Sequence, residues 1–460
     1  MGKAETNFDW IISVRFDGRP SHVEILDRLE AAIRGGELQS GDRLPAQRQL
    51  AAQLDVDLTT VTRAYSAARA RGLVEGTVGR GTFVCDNLGD SSALLADLAT
   101  NDPPVPKEIG AAGLLAETAA TLAKNSSFNS LMSLRRFFSS SSTNTQAVRW
   151  LEPFLGPIRG DRIITAPGAQ PSLAAVLTML CRPGDAIVTD QLTHRGLIWL
   201  AAKFGWRLVP CPGDGSGLLP EALERICATE HPVALYVIPT SHNPTAVTMP
   251  LERRRAIADI AKASDLWIVE ADPYSPLMSS PPPAIASLAP EKTFYFSTLS
   301  KAFGAGFRIA YLVPPDGWSD PTFESLRALT LGPAPLMSAI FTRWLEDGLA
   351  QRVLEATRAE VRARRSMAAA LLPQAQGGAE SSHLWIPLPS SRVSERTLLV
   401  AQERGVALAT EEGFIVDPNA SPGIRLTLGG VAERSTLEQA LRTVADILEQ
   451  ATPTPSMFLL

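Results

Sequence analysis

A hydroxyl-rich run that ends in a lysine is the first candidate for chemistry in this sequence. Ser297-Thr298-Leu299-Ser300-Lys301 follows the strand-like segment 293–296, and Arg308 comes seven residues after the lysine. A lysine amine is a nucleophile once it has lost its proton, and hydroxyls beside a guanidinium are typical phosphate ligands. A single run of this kind is common, and most lysines are solvated cations. The run gains meaning from other polar segments placed in the same way.

Four further segments put polar side chains after a strand, at the start of a helix or near the C-terminus. Apolar runs at 186–188, 234–238 and 266–269 alternate with helical stretches such as 251–263, which predicts a mostly parallel α/β sheet with helices on both faces. The polar segments are Gly168-Ala169-Gln170, Pro239-Thr240-Ser241-His242-Asn243-Pro244, Glu270-Ala271-Asp272-Pro273-Tyr274 and Gly423-Ile424-Arg425-Leu426.

Together these segments resemble the fold-type I aminotransferases that use pyridoxal phosphate, over essentially all of residues 111–460. The resemblance implies a smaller C-terminal α+β subdomain beside the main sheet. It implies that Lys301 holds the cofactor as a Schiff base, because pyridoxal phosphate is an aldehyde. It also implies that Arg425 binds the carboxylate of an amino acid in bidentate fashion, with a surface ion pair as the alternative.

The same resemblance implies the remaining contacts with the cofactor. A helix N-terminus, hydroxyls and a guanidinium are expected to bind its phosphate, and amide or phenol groups are expected to donate to its ring hydroxyl. A histidine would stack on the ring where relatives often carry tyrosine. The expected contacts are Ala169, Gln170, Thr298, Ser300 and Arg308 at the phosphate, Asn243 and Tyr274 at the ring hydroxyl, Asp272 at the ring nitrogen and His194 on the ring face.

Two departures from the family pattern concern this site. Most relatives carry the acid that pairs with the ring nitrogen three residues before the tyrosine, where this sequence has Ala271, whereas Asp272 lies two residues before Tyr274. A shift of one residue on a strand reverses the side-chain direction, so either the strand ends early enough for Asp272 to turn inward or the nitrogen lacks its carboxylate. Without that carboxylate, Schiff-base exchange would survive better than full transamination. Residues 137–146 also lack the tyrosine that relatives direct to the neighbouring subunit's phosphate.

A separate module precedes the aminotransferase-like region. Three prolines and several small polar residues lie in the segment 87–110, which is predicted as a linker. The linker separates a first domain, residues 8–86, from the large domain, residues 111–460.

Spacing in the first domain predicts a winged helix-turn-helix. Its helices are expected over 23–33, after Pro45 and after Asp57, and a β-hairpin follows with Arg80 at its tip. On the third helix, Val61, Ala64, Tyr65 and Ala68 share one face, which leaves Thr59, Arg63 and Ser66 on the opposite face.

A local positive charge lies in this domain. Six arginines and three acidic residues lie between Arg43 and Arg80, an excess of +3 in a chain of net charge −5. Such an edge suits phosphate contacts, with an ordinary solvated helix face as the alternative. The motifs G-D-R-L-P-A-Q-R-Q-L-A, T-T-V-T-R-A-Y and G-L-V-E-G-T-V-G-R-G-T-F-V resemble GntR-type DNA-binding domains, although Asp57 and Leu58 replace the usual hydroxyl residue and arginine. The residues that this resemblance directs to DNA are Arg43, Arg48, Thr59, Thr60, Arg63, Arg80 and Gly81.

The fusion of the two domains resembles the MocR subgroup of GntR regulators over nearly the whole chain. It predicts a transcription regulator with little or no enzymatic turnover. An amino acid, an amine or pyridoxal phosphate itself would bind the large domain, displace Lys301 from the cofactor and bias the DNA-binding modules. The alternatives are a working aminotransferase with an accessory DNA-binding module and a DNA-binding protein that has lost the cofactor.

Composition and family pattern set the expected partners and compartment. With 45% hydrophobic and 20% charged residues the chain is globular, and no apolar run is long enough for a membrane helix. The first twenty residues carry Glu5, Asp9 and Asp17 and no signal-peptide core. A cytoplasmic protein without a membrane partner is therefore expected. The four cysteines form no C-x-x-C pair, so neither a disulfide framework nor a zinc site is indicated. Fold-type I sites are built at a dimer interface, so the resemblance implies a homodimer that binds a double-stranded DNA operator.

Overall fold

The computed structural model describes residues 9–12, 18–34, 37–38, 41–70, 73–77, 81–84, 95–125 and 141–451. Their contacts divide the chain into two units, Met1–Leu95 and Ala96–Leu460. Each unit has an apolar core of its own. None of the described helices combines the length and the apolar character that crossing a bilayer requires.

The first unit is a winged helix-turn-helix, as its sequence spacing predicts. Strands β1 and β2 pair antiparallel, with Val74 opposite Val84. The elements are α1 (Asp9–Ile12), α2 (His22–Arg34), α3 (Gln47–Gln53), α4 (Leu58–Ala70), β1 (Val74–Thr77) and β2 (Gly81–Val84).

The predicted inward face of α4 is confirmed. The Tyr65 hydroxyl donates a hydrogen bond of 2.9 Å to the carbonyl oxygen of Pro45, which ties α4 to the start of α3. Thr59, Arg63 and Ser66 are exposed on the other side of the helix. The buried residues of the face are Val61, Ala64, Tyr65 and Ala68.

The large unit is an α/β structure with a main sheet and a smaller antiparallel sheet. Its strands are β3 (Ala96–Asp97), β4 (Ile164–Ala166), β5 (Ala186–Asp190), β6 (Arg207–Cys211), β7 (Gly213–Asp214), β8 (Gly217–Leu218), β9 (Ala234–Val237), β10 (Trp267–Ala271), β11 (Thr293–Thr298), β12 (Ala310–Val313), β13 (His383–Pro387), β14 (Val406–Ala407), β15 (Ala409–Thr410) and β16 (Gly423–Thr427). Its helices are α5 (Ala111–Asn125), α6 (Ser141–Leu155), α7 (Ala169–Leu180), α8 (Arg195–Phe204), α9 (Pro220–Glu230), α10 (Leu251–Ala263), α11 (Ile285–Leu288), α12 (Ser319–Thr330), α13 (Pro335–Glu346), α14 (Leu349–Leu371), α15 (Ser391–Glu403) and α16 (Arg434–Ala451).

The main sheet has the strand order β4-β12-β11-β10-β9-β5-β6. The strands from β11 to β6 run parallel, whereas β12 pairs antiparallel with both of its neighbours. Successive residues of β5 enter two different apolar clusters, Ile187 on one face and Val188 on the other. Burial on both faces explains the continuous apolar runs of these strands and confirms the predicted mostly parallel sheet.

The smaller sheet lies in the C-terminal part of the large unit. Its strand order is β13-β16-β15, with antiparallel pairing throughout. Helix α15 packs against β15 and against α16. This is the α+β part that the family resemblance implies, and β16 carries Arg425.

A short segment at the start of the large unit, residues 97–102, is referred to below as the strap. Composition places it in the predicted linker 87–110, yet it packs within the large unit, and residues 87–94 lie outside the described residues. Strand β3 pairs in parallel with β14. The Asp97 carboxylate accepts hydrogen bonds from the N–H groups of Ala99 and Thr100, at 2.8 and 2.9 Å.

Two glycines allow the strap to pass this close to the C-terminal part. A Cβ atom on Gly429 would overlap the carbonyl oxygen of Asp102, and one on Gly430 would lie 2.5 Å from the carbonyl oxygen of Asp97. Because these neighbours are backbone atoms, the chain itself would have to move.

We expect Gly429→Ala to lower the free energy of unfolding of the large unit by about 1–3 kcal/mol, because the added methyl group overlaps backbone. Gly378→Ala is the matched control, since nothing lies within 4 Å of a Cβ atom there. Urea unfolding followed by fluorescence measures both. Equal stability of the two variants would contradict the packing described for the strap.

Candidate functional site

A cleft of about 910 Å³ opens where the parallel strands of the large unit end. Side chains that follow β5, β9, β10 and β11 meet there, since parallel strands end at the same edge of a sheet. The cleft brings together most of the predicted cofactor residues: Ala169, Gln170, His194, Asn243, Tyr274, Thr298, Ser300, Lys301, Arg308 and Arg425.

Lys301 lies in the 3₁₀ turn that follows β11, and its amine points into the cleft. Nζ donates a hydrogen bond to the carbonyl oxygen of Asn101 in the strap. Burial lowers the pKa of Lys301 to about 8; the Asp102 carboxylate opposes this shift, and the cations Arg425 and Arg308 add to it. Near neutral pH an appreciable fraction of the amine is therefore uncharged and able to act as a nucleophile.

A second part of the cleft is built to bind an anion. Gly168, with φ 113°, precedes α7, and a Cβ atom there would lie 2.9 Å from Nη2 of Arg308. Arg308 makes no hydrogen bond or ion pair with another described residue, and the hydroxyls of Thr298 and Ser300 lie 3.0 Å apart beside it in the cleft. The first N–H groups of α7 lack partners within the helix. These donors suit a phosphate group.

Arg425 and Asn243 form a third part of the site. Arg425 is buried, which excludes the surface ion pair considered from its sequence, and burial lowers its pKa to about 10. Its Nη1 donates to Oδ1 of Asn243 at 2.8 Å, and its Nη2 donates to the carbonyl oxygen of Ala99 in the strap. Because Oδ1 of Asn243 is occupied, Nδ2 remains as a donor toward the cleft. The Tyr274 hydroxyl accepts from Nδ2 of Asn101 at 2.7 Å.

His194 caps the N-terminus of α8. Its Nδ1 accepts a hydrogen bond of 3.2 Å from the N–H of Gly196, and Nε2 of Gln170 donates to the carbonyl oxygen of the same glycine at 2.8 Å. A Cβ atom on Gly196 would overlap the Gln170 side chain and lie 2.6 Å from the imidazole. Burial lowers the pKa of His194 to about 4, so its ring is uncharged at neutral pH.

Asp272 is the one predicted cofactor residue that does not line the cleft. Strand β10 ends at Ala271, whose methyl group faces the cleft. The Asp272 carboxylate accepts hydrogen bonds of 3.1 Å from the N–H of Ser275 and from the hydroxyl of Tyr295. Contrary to the expectation for a cofactor contact, alternation at the end of the strand turns the Asp272 carboxylate away from the cleft, against Ser275 and Tyr295.

Several residues of the cleft escape prediction from the sequence. The strap supplies backbone carbonyl groups, which leave no signature in the sequence. Tyr236 stands in an apolar run, and only the strand alternation could have assigned it to the cleft. Arg195 follows His194 directly, and Phe414 is brought close to it by the fold.

In the first unit, the described residues directed to DNA lie on its surface. Arg48, Thr59 and Arg63 are exposed and Thr60 is partly exposed. A Cβ atom on Gly81 would lie 3.0 Å from Nε of Arg43, so this guanidinium lies against the first residue of β2. Arg80 and residues 137–140 lie outside the described residues, and the side chains of 141–144 are not described.

Comparison with known families accounts for both units. Residues 95–444 match the family described as aminotransferase class I and II. The chain belongs to this family. Residues 22–84 match the bacterial regulatory proteins of the gntR family, which confirms the predicted combination of the MocR type.

Curated relatives share both parts of this aminotransferase-family chain. The uncharacterised HTH-type transcriptional regulator YdeF of Bacillus subtilis is 29% identical over 96% of this chain and 97% of its own length. The vitamin B6 salvage pathway transcriptional repressor PtsJ of Salmonella typhimurium is 26% identical over 95% of this chain and 99% of its own.

Solved structures confirm the predicted fold-type I architecture of the large unit. The kynurenine aminotransferase of Pyrococcus horikoshii aligns with a TM-score of 0.70 at 20% identity, over 79% of this chain and 92% of its own. The α-aminoadipate aminotransferase LysN of Thermus thermophilus aligns with a TM-score of 0.69 at 20% identity, over 84% and 98%.

Proposed function

We propose that the protein is a transcription regulator whose aminotransferase-type unit binds pyridoxal phosphate and senses a small amino acid or amine. One observation carries this proposal: a cleft built around a lysine of lowered pKa belongs to the same chain as a GntR-type winged helix with an exposed arginine on α4. The names of YdeF and PtsJ describe transcriptional regulators, and that of PtsJ adds vitamin B6 salvage.

The aminotransferase family and its structural neighbours indicate pyridoxal phosphate as the cofactor. The Pyrococcus structure contains its amine form, and LysN was solved with a phosphopyridoxyl derivative of leucine. The donors in the cleft fit such a group: the anion site around Arg308 for the phosphate, Nδ2 of Asn243 and the Tyr274 hydroxyl for the ring hydroxyl, and the uncharged His194 ring for the ring face. Pyridoxal phosphate supplies an aldehyde that condenses reversibly with primary amines.

The residues around the ring support sensing more than turnover. The methyl group of Ala271 faces the cleft where family members present a carboxylate, so no side chain at this position holds a proton on the ring nitrogen. Lys301 still offers an amine that exchanges with other amines, and Arg425 still offers a guanidinium for a carboxylate. An effector would displace the Lys301 amine and bind Arg425 through a carboxylate. Neither event needs the later steps of transamination, which a protonated ring nitrogen assists.

The strap contacts the cleft and lies next to the DNA-binding unit in the sequence. Lys301 and Arg425 both donate hydrogen bonds to carbonyl groups of the strap, and the Thr427 hydroxyl donates to the carbonyl oxygen of Thr100 at 2.8 Å. A ligand that takes over the first two donors leaves two strap carbonyls without partners. In sequence the strap directly follows the residues that join the two units, so its position is suited to bias them.

We expect Lys301→Ala to abolish the visible absorbance of bound cofactor while leaving operator binding intact, and Arg63→Ala to do the reverse. Loss of the Arg63 guanidinium should weaken DNA binding by about tenfold or more. Spectroscopy after addition of pyridoxal phosphate measures the first property. Binding to a duplex that the wild-type protein selects from a random pool measures the second. The exposed residues Lys203 and Arg225 provide control substitutions to alanine.

Amino acids and amines are then titrated into the loaded protein, alone and with a keto acid. A stoichiometric spectral change with altered operator binding is the expected result. Sustained keto-acid production over many turnovers would favour the working aminotransferase instead. A protein that stays colourless with added pyridoxal phosphate would contradict the cofactor assignment.

The lowered pKa of Lys301 predicts how cofactor capture depends on pH. Only the deprotonated amine attacks an aldehyde, so the rate should rise through pH 8 and level off, well below the ordinary lysine pKa of 10.5. Asp102→Asn should shift this midpoint to lower pH, because the Asp102 carboxylate raises the pKa of Lys301. Stopped-flow absorbance measures the rates, with exposed Asp259→Asn as control. A midpoint near 10.5 in all variants would contradict the prediction.

We propose a homodimer, because the resemblance to fold-type I aminotransferases implies sites completed at a subunit interface. Two winged helices in one dimer would contact two operator half-sites. Sedimentation at micromolar concentration with bound cofactor should give the mass of a dimer. A monomer under these conditions would contradict the proposal.

A further inference from the structure

One guanidinium in the cleft has no part in the cofactor site described above. Arg195, the first residue of α8, lines the cleft together with Arg425. It makes no hydrogen bond or ion pair with any residue in the described part of the chain, but it packs against two aromatic rings. Its Cζ lies 5.2 Å from the ring centroid of Phe414 and 5.9 Å from that of Trp199.

Gly413 lies against the Arg195 side chain. A Cβ atom on Gly413 would lie 2.7 Å from Nη2 of Arg195, so glycine allows the guanidinium to lie against the backbone. The buried ring of Phe414 also carries Arg425, whose Cζ lies 4.9 Å from the ring centroid. Two guanidinium groups therefore share one aromatic ring at the wall of the cleft.

Two cations against one ring repel each other, and a bound anion reduces that repulsion. Burial is the main cause of the lowered pKa of Arg425, the charge of Arg195 lowers this pKa further, and the Asp97 carboxylate raises it in part. The acids that line the cleft are Asp102 and Glu412. Asp102 acts on Lys301, and Glu412 is exposed and lies more than 4 Å from the Arg195 nitrogens, so neither forms an ion pair with Arg195.

We infer that Arg195 and Arg425 together bind an effector with two acidic groups, an amino acid of the dicarboxylic class. Arg425 takes the α-carboxylate, and Arg195 takes the acid at the end of the side chain. Guanidinium groups bind carboxylates through two parallel hydrogen bonds, and each bound carboxylate removes the repulsion between the cations. The role of the ligand as an effector rests on the proposed function. The prediction that the ligand carries two negative charges rests on the cleft alone.

Glutarate and butyrate test the two-cation site without the chemistry of the cofactor. Both lack an amine, and they differ in whether a second carboxylate is present. Calorimetry on the full-length protein should give glutarate an affinity at least about tenfold higher than that of butyrate. Trp199, which touches Arg195, should report the binding through its fluorescence.

Variants at Arg195 separate the site from general attraction of anions. Arg195→Gln should remove the preference for glutarate, Arg195→Lys should retain part of it, and Arg182→Gln, an exposed arginine outside the cleft, should leave it unchanged. Equal affinities for glutarate and butyrate, or a preference that survives in Arg195→Gln, would overturn the inference. Circular dichroism shows that each variant is folded.

Titration of the loaded protein with aspartate, glutamate, 2-aminoadipate and alanine distinguishes the two proposals. A stronger response to one of the three diacids supports the inference, and their different lengths measure the span between the guanidinium groups. A response to alanine that equals the responses to all three overturns it while leaving the proposed function intact. If no amino acid changes absorbance or operator binding but glutarate still depends on Arg195, the proposed function fails and the two-cation site stands.

Discussion

Burying an ammonium group costs free energy, and the arrangement of the cleft follows from how the chain deals with this cost at Lys301. The Asp102 carboxylate and the carbonyl oxygen of Asn101 stabilise the charged form, whereas Arg308, Arg425 and desolvation favour the neutral amine. The balance of these effects lowers the pKa of Lys301 to about 8, so the buried amine is present in both its charged and its neutral, nucleophilic form. A more acidic cleft would raise the pKa of Lys301 and leave less of the neutral amine.

Strand β10, which leads to Tyr274, imposes a second constraint, because its end decides which side chain faces the cleft. Strand alternation turns Ala271 toward the cleft and Asp272 toward Tyr295 and Ser275, so the carboxylate stabilises the fold beneath the site. Burial raises the pKa of Asp272, which fits a group that works through hydrogen bonds in the interior. At this point of the cleft the chain therefore presents a methyl group, and the neighbouring carboxylate is used inside the fold.

Patterns of side chains in the sequence predicted much of this molecule. The contacts made by backbone groups could not be predicted in this way. The helical period placed Val61 and Tyr65 in the core of the first unit, and the hydroxyl run predicted the surroundings of Lys301. The direction of Asp272 depended on where one strand ends, which propensity does not resolve to a single residue. The pairing of Arg195 with Phe414 joins residues more than two hundred positions apart, and no local pattern encodes it.

The strap has a consequence for how such a protein could change its ligand. Its contacts with Lys301 and Arg425 use peptide carbonyls, which every amino acid possesses. Substitutions along residues 97–102 could therefore accumulate while the acceptors stay in place, provided that Gly429 and Gly430 keep the path open. The side chains that contact the ligand can therefore change while the main-chain acceptors of the strap stay the same. Related proteins could thus bind different small molecules and keep the same contacts between the cleft and the strap.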